Sequence, residues 1–262
     1  MNEDFKEYLN SLQWIQELGI PLRGRHILYK KRLERIFENS NVLQKDLIER
    51  YTPIMHNTFE IMCIYKAFKT FDANKIFLEK LRLAIRGPKF LEQERVDNNS
   101  NKARNYQFEL FMAAMFKNTG YVVEFSDISD FEINLGYAKI LIECKRIRSL
   151  AKLKKELKDA QRRLSIKCGI RHYASICVNM TPTINATTTI VNYLEEAEKY
   201  TDKPEIIRVI KDFEPQGNTI GIFFLSSFVK IDQQNRNITC PIRFLAHINN
   251  KKCYTQQVNI IQ

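Results

Sequence analysis

Two carboxylates and one ammonium stand close together in the stretch SDISDFEINLGYAKILIECKRIRS, residues 126–149: Asp130, Glu143 and Lys145. Ile140, Leu141 and Ile142 form an apolar run ahead of Glu143, so the segment reads as a strand entering a core. Alternate side chains of a strand share a face. Glu143 and Lys145 therefore project together, while Cys144 turns the other way, toward packing. A turn at Gly136-Tyr137 makes antiparallel partners sum to 273, which sets Asp130 opposite Glu143. Side chains so opposed lie about 4.5–5.5 Å apart at Cβ, and like charges there destabilise a sheet unless something neutralises them. A divalent cation does so, and Mg2+ needs only one or two carboxylates because it keeps several waters. Lys145, one pleat further on, can reach such a water or a nonbridging phosphate oxygen. Together these groups suit hydrolysis of a phosphodiester. The placement is conditional on register, because a slip of one residue breaks the pairing.

Glu109 offers a further carboxylate. It lies in FELFMAAMF, a helix apolar nearly all round. A buried lone carboxylate is costly unless paired or bound to a cation. Glu109 is therefore expected at the edge of the core, completing a metal's outer shell, with a narrow exposed stripe as the alternative. Asp127 competes with Asp130 for the role of first metal ligand. Asp130 is preferred because it abuts the apolar strand.

These residues must be positioned by regular elements. Periodicity predicts a helix over 103–120, strands over 121–125, 131–135 and 138–145, a helix over 149–167 and a strand over 173–178. A helix near 187–200 and strands near 219–231 and 242–248 follow. That order is α/β, one sheet flanked by helices. Ahead of it, residues 3 to about 90 carry helical spacing throughout. The polar, Asn-rich segment 92–104 marks a boundary between a helical region, 1–95, and the α/β region, 96–262.

The net charge of +11 is concentrated. Residues 145–171 hold eleven basic and two acidic side chains, a net +9, beginning at Lys145. A positive field beside a carboxylate cluster points to a polyanion, with a solvated basic helix face as the competing reading. Within 149–167, Leu150, Leu153, Leu157, Ala160 and Leu164 form one apolar stripe. Lys152, Lys155, Arg162 and Arg163 lie away from it, where they could meet a nucleic-acid backbone. Gln161 sits at the stripe's edge. A second basic cluster holds Arg23, Arg25, Lys30, Lys31, Arg32 and Arg35. It extends the same track, binds a partner, or is solvated.

SDFEINLGYAKILIECK resembles the signature of the PD-(D/E)XK nuclease superfamily, in which an acidic residue precedes acidic-x-Lys on a strand. Here these are Asp130 and Glu143-Cys144-Lys145, with Ser129 where the family often has proline. The resemblance spans roughly residues 103–178 and says little about 1–95 or the C-terminal third. It implies a restriction-endonuclease-like fold, a mixed central sheet flanked by helices. It implies an endonuclease cutting DNA in microbial genome defence, with Mg2+ as cofactor and Mn2+ substituting. Asp130, Glu143 and the Cys144 backbone carbonyl would hold the metal, and Lys145 would orient water. Glu109 matches the family's preceding-helix glutamate, and Gln161 a helical glutamine that approaches the site in some relatives. Cutting both strands needs two sites, so a homodimer is expected. The N-terminal helices would then serve targeting, dimerisation or regulation, including contact with a protein partner. Two alternatives stay open: a catalytically silent nucleic-acid-binding subunit of the same fold, and a nuclease acting on RNA.

Other chemistries find no support. Six cysteines are scattered without a CxxC pair, which favours reduced thiols and a cytoplasmic location. The four histidines are dispersed, and no GxxxxGK[ST] loop is present. The N-terminus is acidic and polar rather than a secretory signal. The longest apolar stretch, TIGIFFLSSFV at 219–229, is too short for a membrane helix.

Overall fold

The computed structural model describes residues 3–38, 45–87, 102–183, 190–191, 204–227, 229–232, 237–239 and 242–248. The striped N-terminal segments form α1 (Glu3–Glu17), α2 (Arg25–Glu38), α3 (Lys45–Phe68) and α4 (Lys75–Ala84). Asn74 starts α4: its Oδ1 accepts from Phe77 N at 2.9 Å, satisfying one of the orphan N–H groups of a helix start. Its Nδ2 donates to Phe125 O at 3.1 Å, which ties α4 to the chain beyond the first strand. Phe68, Phe71, Phe77 and Phe125 close around this junction, with ring centroids between 5.0 and 6.2 Å apart.

The α/β part runs α5 (Lys102–Asn118), β1 (Val122–Glu124), β2 (Phe131–Asn134), β3 (Lys139–Arg146), α6 (Leu150–Lys167) and β4 (His172–Asn179). It continues with β5 (Ile190–Val191), α7 (Pro204–Lys211), β6 (Thr219–Ser227), β7 (Val229–Asp232), β8 (Asn237–Thr239) and β9 (Ile242–Ile248). The fold is α/β, with a six-stranded sheet in the order β1-β2-β3-β4-β6-β9 and a three-stranded one, β5-β7-β8. The larger sheet is mixed: β3, β4 and β6 are mutually parallel, while β1, β2 and β9 pair antiparallel at its flanks. Strand β8 is not expected from the sequence pattern. The helix expected near 187–200 falls mostly outside the described residues, and its described part, Ile190–Val191, is a strand.

The two faces of the sheet are covered differently. α5 packs on β1, β2 and β3 and is itself covered by α3 and α4, which is why it is buried almost all round. α6 packs on the opposite face over β3, β4 and β6 through Leu153, Leu157, Ala160 and Leu164. One apolar cluster runs from Phe5 in α1 through α5 to Leu225 in β6. Residues on either side of the expected boundary at 92–104 therefore share a single core. Residues 88–101 lie outside the described residues. Cys63, Cys144, Cys168 and Cys177 are free thiols. Among the described residues, no helix is long and apolar enough to cross a membrane.

Candidate functional site

The hairpin between β2 and β3 pairs Phe131 with Ile142, Glu132 with Leu141, Ile133 with Ile140 and Asn134 with Lys139. Each pair sums to 273, the register expected from a turn at Gly136-Tyr137. Gly136 has φ +81°, a left-handed conformation that glycine adopts without Cβ strain. Asn134 Oδ1 accepts from Gly136 N at 2.8 Å, and Leu135 N donates to Ala138 O at 2.9 Å, closing the turn.

Asp130 continues this ladder one step past the strand. Its backbone N–H donates to Ile142 O at 3.0 Å. Its Oδ2 accepts from Cys144 N at 2.6 Å, so the side chain takes a rung that a neighbouring backbone would otherwise fill. Ser129, buried just ahead, donates from Oγ to Phe131 O at 2.8 Å and fixes the entry of the chain. Asp127, the competing candidate, is exposed.

Strand alternation distributes the β3 side chains. Ile142 and Cys144 join the core beneath α5, and Leu141 joins the core beneath α6. Glu143 and Lys145 share the parity of Leu141 and face α6. Glu143 is buried at 4% exposure, and its Oε1 accepts from Lys145 Nζ at 2.6 Å. Arg163 of α6 brings Nη1 to 3.4 Å from the same oxygen. Glu109 of α5 is also buried, with Oε2 2.5 Å from Lys80 Nζ of α4. Lys80 lies 4.0 Å from Asp130 Oδ1 as well, so it bridges two of the three carboxylates. Its ammonium also stands 5.6 Å from the Tyr106 ring centroid, a cation–π distance.

Burial and mutual repulsion set the acidities. Burial first, and then the Glu143 carboxylate, raise the Asp130 carboxyl above its ordinary range against the pull of Lys80. Burial, and then Asp130, push Glu109 up to about 8, again against Lys80. Burial alone would lower the Lys80 ammonium, but Glu109 and Asp130 outweigh it and raise it.

Asp130 and Glu143 are donors of the oxygen type that Mg2+ takes. Asp130, one residue ahead of β2, and Glu143 of β3 offer hard oxygen ligands, and ionised Asp130 is opposed by burial and by its neighbour. A hard cation relieves both. Among the described residues, no group of three or more His, Cys, Asp or Glu side chains converges on one point. Two carboxylates suffice for an ion that keeps its waters.

The other expected residues divide. Lys152, Lys155 and Arg162 are exposed on α6. Arg163 is also exposed on its outer part, yet its guanidinium reaches Glu143. Gln161 is buried and donates from Nε2 to Glu214 O at 3.1 Å, tying α6 to the segment after α7. The second basic cluster is split by the fold. Arg23, Lys30, Lys31 and Arg35 are exposed, whereas Arg25 is fully buried, its Nη2 donating to Ala84 O and Gln107 Oε1. Lys80 is the site residue that the sequence pattern does not reveal. Nothing local marks it: it is one lysine on an amphipathic helix, 29 residues from Glu109.

No family model matches the chain, and no curated protein matches it.

Proposed function

We propose that this chain is a metal-dependent nuclease of the PD-(D/E)XK type that hydrolyses phosphodiester bonds of DNA. Mg2+ is the expected ion, and Mn2+ is expected to substitute. The observation that carries this reading is the β2–β3 register, which seats Asp130 against the Cys144 amide beside Glu143 and Lys145. Asp130, Glu143 and the Cys144 carbonyl would hold the ion. When bound, the ion supplies Lewis acidity, lowering the pKa of water and offsetting phosphate charge.

The chain's own residues do the rest. Lys145 has three N–H donors, so it can hold Glu143 and a phosphate oxygen at once. Arg163 sets a second cation at the same carboxylate and offers its planar fork to the phosphate. Lys80 holds Glu109 and Asp130 in place before substrate arrives. Gln161 positions α6 through its bond to Glu214 O. Lys152, Lys155 and Arg162 extend the positive surface along the helix, where they would contact the backbone. A role in microbial genome defence, action as a homodimer, a partner-binding N-terminal region and a cytoplasmic location belong to the same proposal and rest on sequence resemblance and composition.

The test is cleavage of supercoiled plasmid with Mg2+, Mn2+ or EDTA, run beside Glu143→Ala and Lys145→Ala, with a structured RNA in parallel. Metal-dependent nicking or linearisation, abolished by both substitutions, is the expected result. A second reading is a binding subunit without cleavage. It is favoured by the closed Lys145–Glu143 and Lys80–Glu109 pairs, which neutralise the carboxylates internally. DNA binding without cleavage in either metal would select it, and cleavage of RNA alone would reassign the substrate.

A further inference from the structure

A cavity of about 40 Å3 lies at the C-terminal ends of the parallel strands β3, β4 and β6, where α3 and α5 meet them. Open α/β sheets bind ligands at the carboxyl ends of their strands. Its wall includes Arg146 from the end of β3, Asn179 from the end of β4, Thr181 just beyond, Arg104 of α5, and His56 and Glu60 of α3. None of Asp130, Glu143, Lys145, Glu109 and Lys80 is among its lining residues. Arg146 has the opposite strand parity to Glu143 and Lys145 and faces away from α6.

Three features point to an anion. Two guanidiniums, those of Arg104 and Arg146, line the cavity beside one carboxylate, Glu60, among the described residues of its wall. A third guanidinium, the fully buried Arg25, stands behind, joined to Glu60 through Gln107. Burial, and then Arg104, pull Arg25 below its usual range. Second, His56 is buried, and its Nε2 has no hydrogen-bond partner among the described residues. Buried polar atoms are seldom left so. Third, the walls offer donors. Thr181 Oγ1 accepts from Ser227 N at 2.9 Å, leaving its O–H to donate. Asn179 Oδ1 accepts from Thr181 N at 2.9 Å, leaving its amide N–H groups.

Size narrows the class. One water needs about 10–15 Å3, so the cavity holds about three water-sized positions, the span of a single tetrahedral oxyanion. Donors on several walls suit a tetrahedral group better than a planar carboxylate, and guanidinium forks match phosphate oxygens. We propose that this cavity is a binding site for one phosphate group, delivered as inorganic phosphate or as the phosphate of a mononucleotide. The site stands independently of nuclease activity.

The test is isothermal titration of the full chain in EDTA, with inorganic phosphate and with a nucleoside 5′-monophosphate as separate titrants. Saturable 1:1 binding at about 1 mM or tighter is expected. It should persist in Lys145→Ala and weaken at least about tenfold in Arg146→Gln, a loss of about 1.4 kcal/mol. Should Arg146→Gln fail to fold, proton NMR of the wild type decides: the His56 ring signals must shift with the same midpoint as the titration heat. Tighter binding of the mononucleotide would make it the carrier, and equal affinity would assign free phosphate. Absence of saturable heat, unmoved His56 signals, or binding lost in Lys145→Ala but kept in Arg146→Gln would overturn the proposal.

Discussion

Lys80→Met is the sharpest probe of how the carboxylate site is held together. The Lys80 and Glu109 side chains are 12% and 10% exposed, so water screens their 2.5 Å contact poorly. Methionine keeps the length of the side chain and removes the charge. Asp130, at 4.0 Å from the ammonium, loses the same partner. A unit charge pair at that separation is worth about 4 kcal/mol in a medium of effective dielectric about 20, before desolvation is counted. Breaking a buried pair by removing one partner costs about 3–5 kcal/mol, because the other charge is left uncompensated. Here Glu109 can escape part of that cost by protonating, since its carboxyl already lies at about 8. The expected loss is therefore at the lower end, about 3 kcal/mol in urea unfolding at pH ~9, where Glu109 of the wild type is ionised. Adding Glu109→Gln removes the orphaned charge and should recover more than half of the loss, giving a coupling energy of about 1.5 kcal/mol or more. Additive costs within about 0.5 kcal/mol would mean that the two side chains do not act as a pair, and Lys80 would no longer be a holder of the carboxylates.

Other perturbations reach the rest of the molecule. Burial, then Arg104, hold His56 down to about 4, so the unfolded chain binds the extra proton as pH falls from the ordinary 6.5 toward that value. Stability is complete above that window and drops by about 2 kcal/mol on going from pH ~7.5 to pH ~5, with buried His26 acting in the same direction. His56→Gln should shrink the drop in urea midpoint, and an unchanged drop would remove His56 from the explanation. Gly221→Ala would place a Cβ 2.8 Å from His247 O across the β6–β9 ladder. It should destabilise by about 1–3 kcal/mol in thermal unfolding, whereas a neutral result would mean that β9 sits further out. If α6 lies along a DNA backbone, replacing Lys152, Lys155 and Arg162 with glutamine should flatten the slope of log binding constant against log salt by about 0.9 for each phosphate no longer neutralised. An unchanged slope would place the nucleic acid elsewhere.

The pairing of Asp130 with the Glu143–Lys145 end of β3 was legible because everything that fixes it is local. A glycine turn, four alternating residues and an acidic residue at the strand's start define the register within a stretch of sixteen positions, 130–145. The apolar stripe of α6 was legible for the same reason. Lys80, the burial of Arg25 and the cavity beside His56 were not. Each depends on segments far apart in the chain coming together: Lys80 with Glu109, Arg25 with Gln107, and His56, Arg104 and Arg146 around one cavity. In the sequence Arg25 is one of a run of surface-like cations. Only the fold, which brings the start of α2 to Ala84 of α4 and Gln107 of α5, makes it an internal hydrogen-bond donor to Ala84 O and Gln107. The cover of α3 and α4 over α5 is likewise made by segments distant in the chain, which local polarity does not record.

The bond from the Cys144 amide to Asp130 Oδ2 gives the protein a built-in spectroscopic reporter. A backbone N–H that donates to a carboxylate resonates far from one that donates to a carboxylic acid. The Cys144 cross-peak should therefore follow the charge state of Asp130 and broaden when a paramagnetic ion such as Mn2+ approaches. Because that amide belongs to a central strand, it should exchange with solvent only when the sheet opens. A single resonance thus reads occupancy of the carboxylate site and integrity of the sheet, without any substrate, label or turnover.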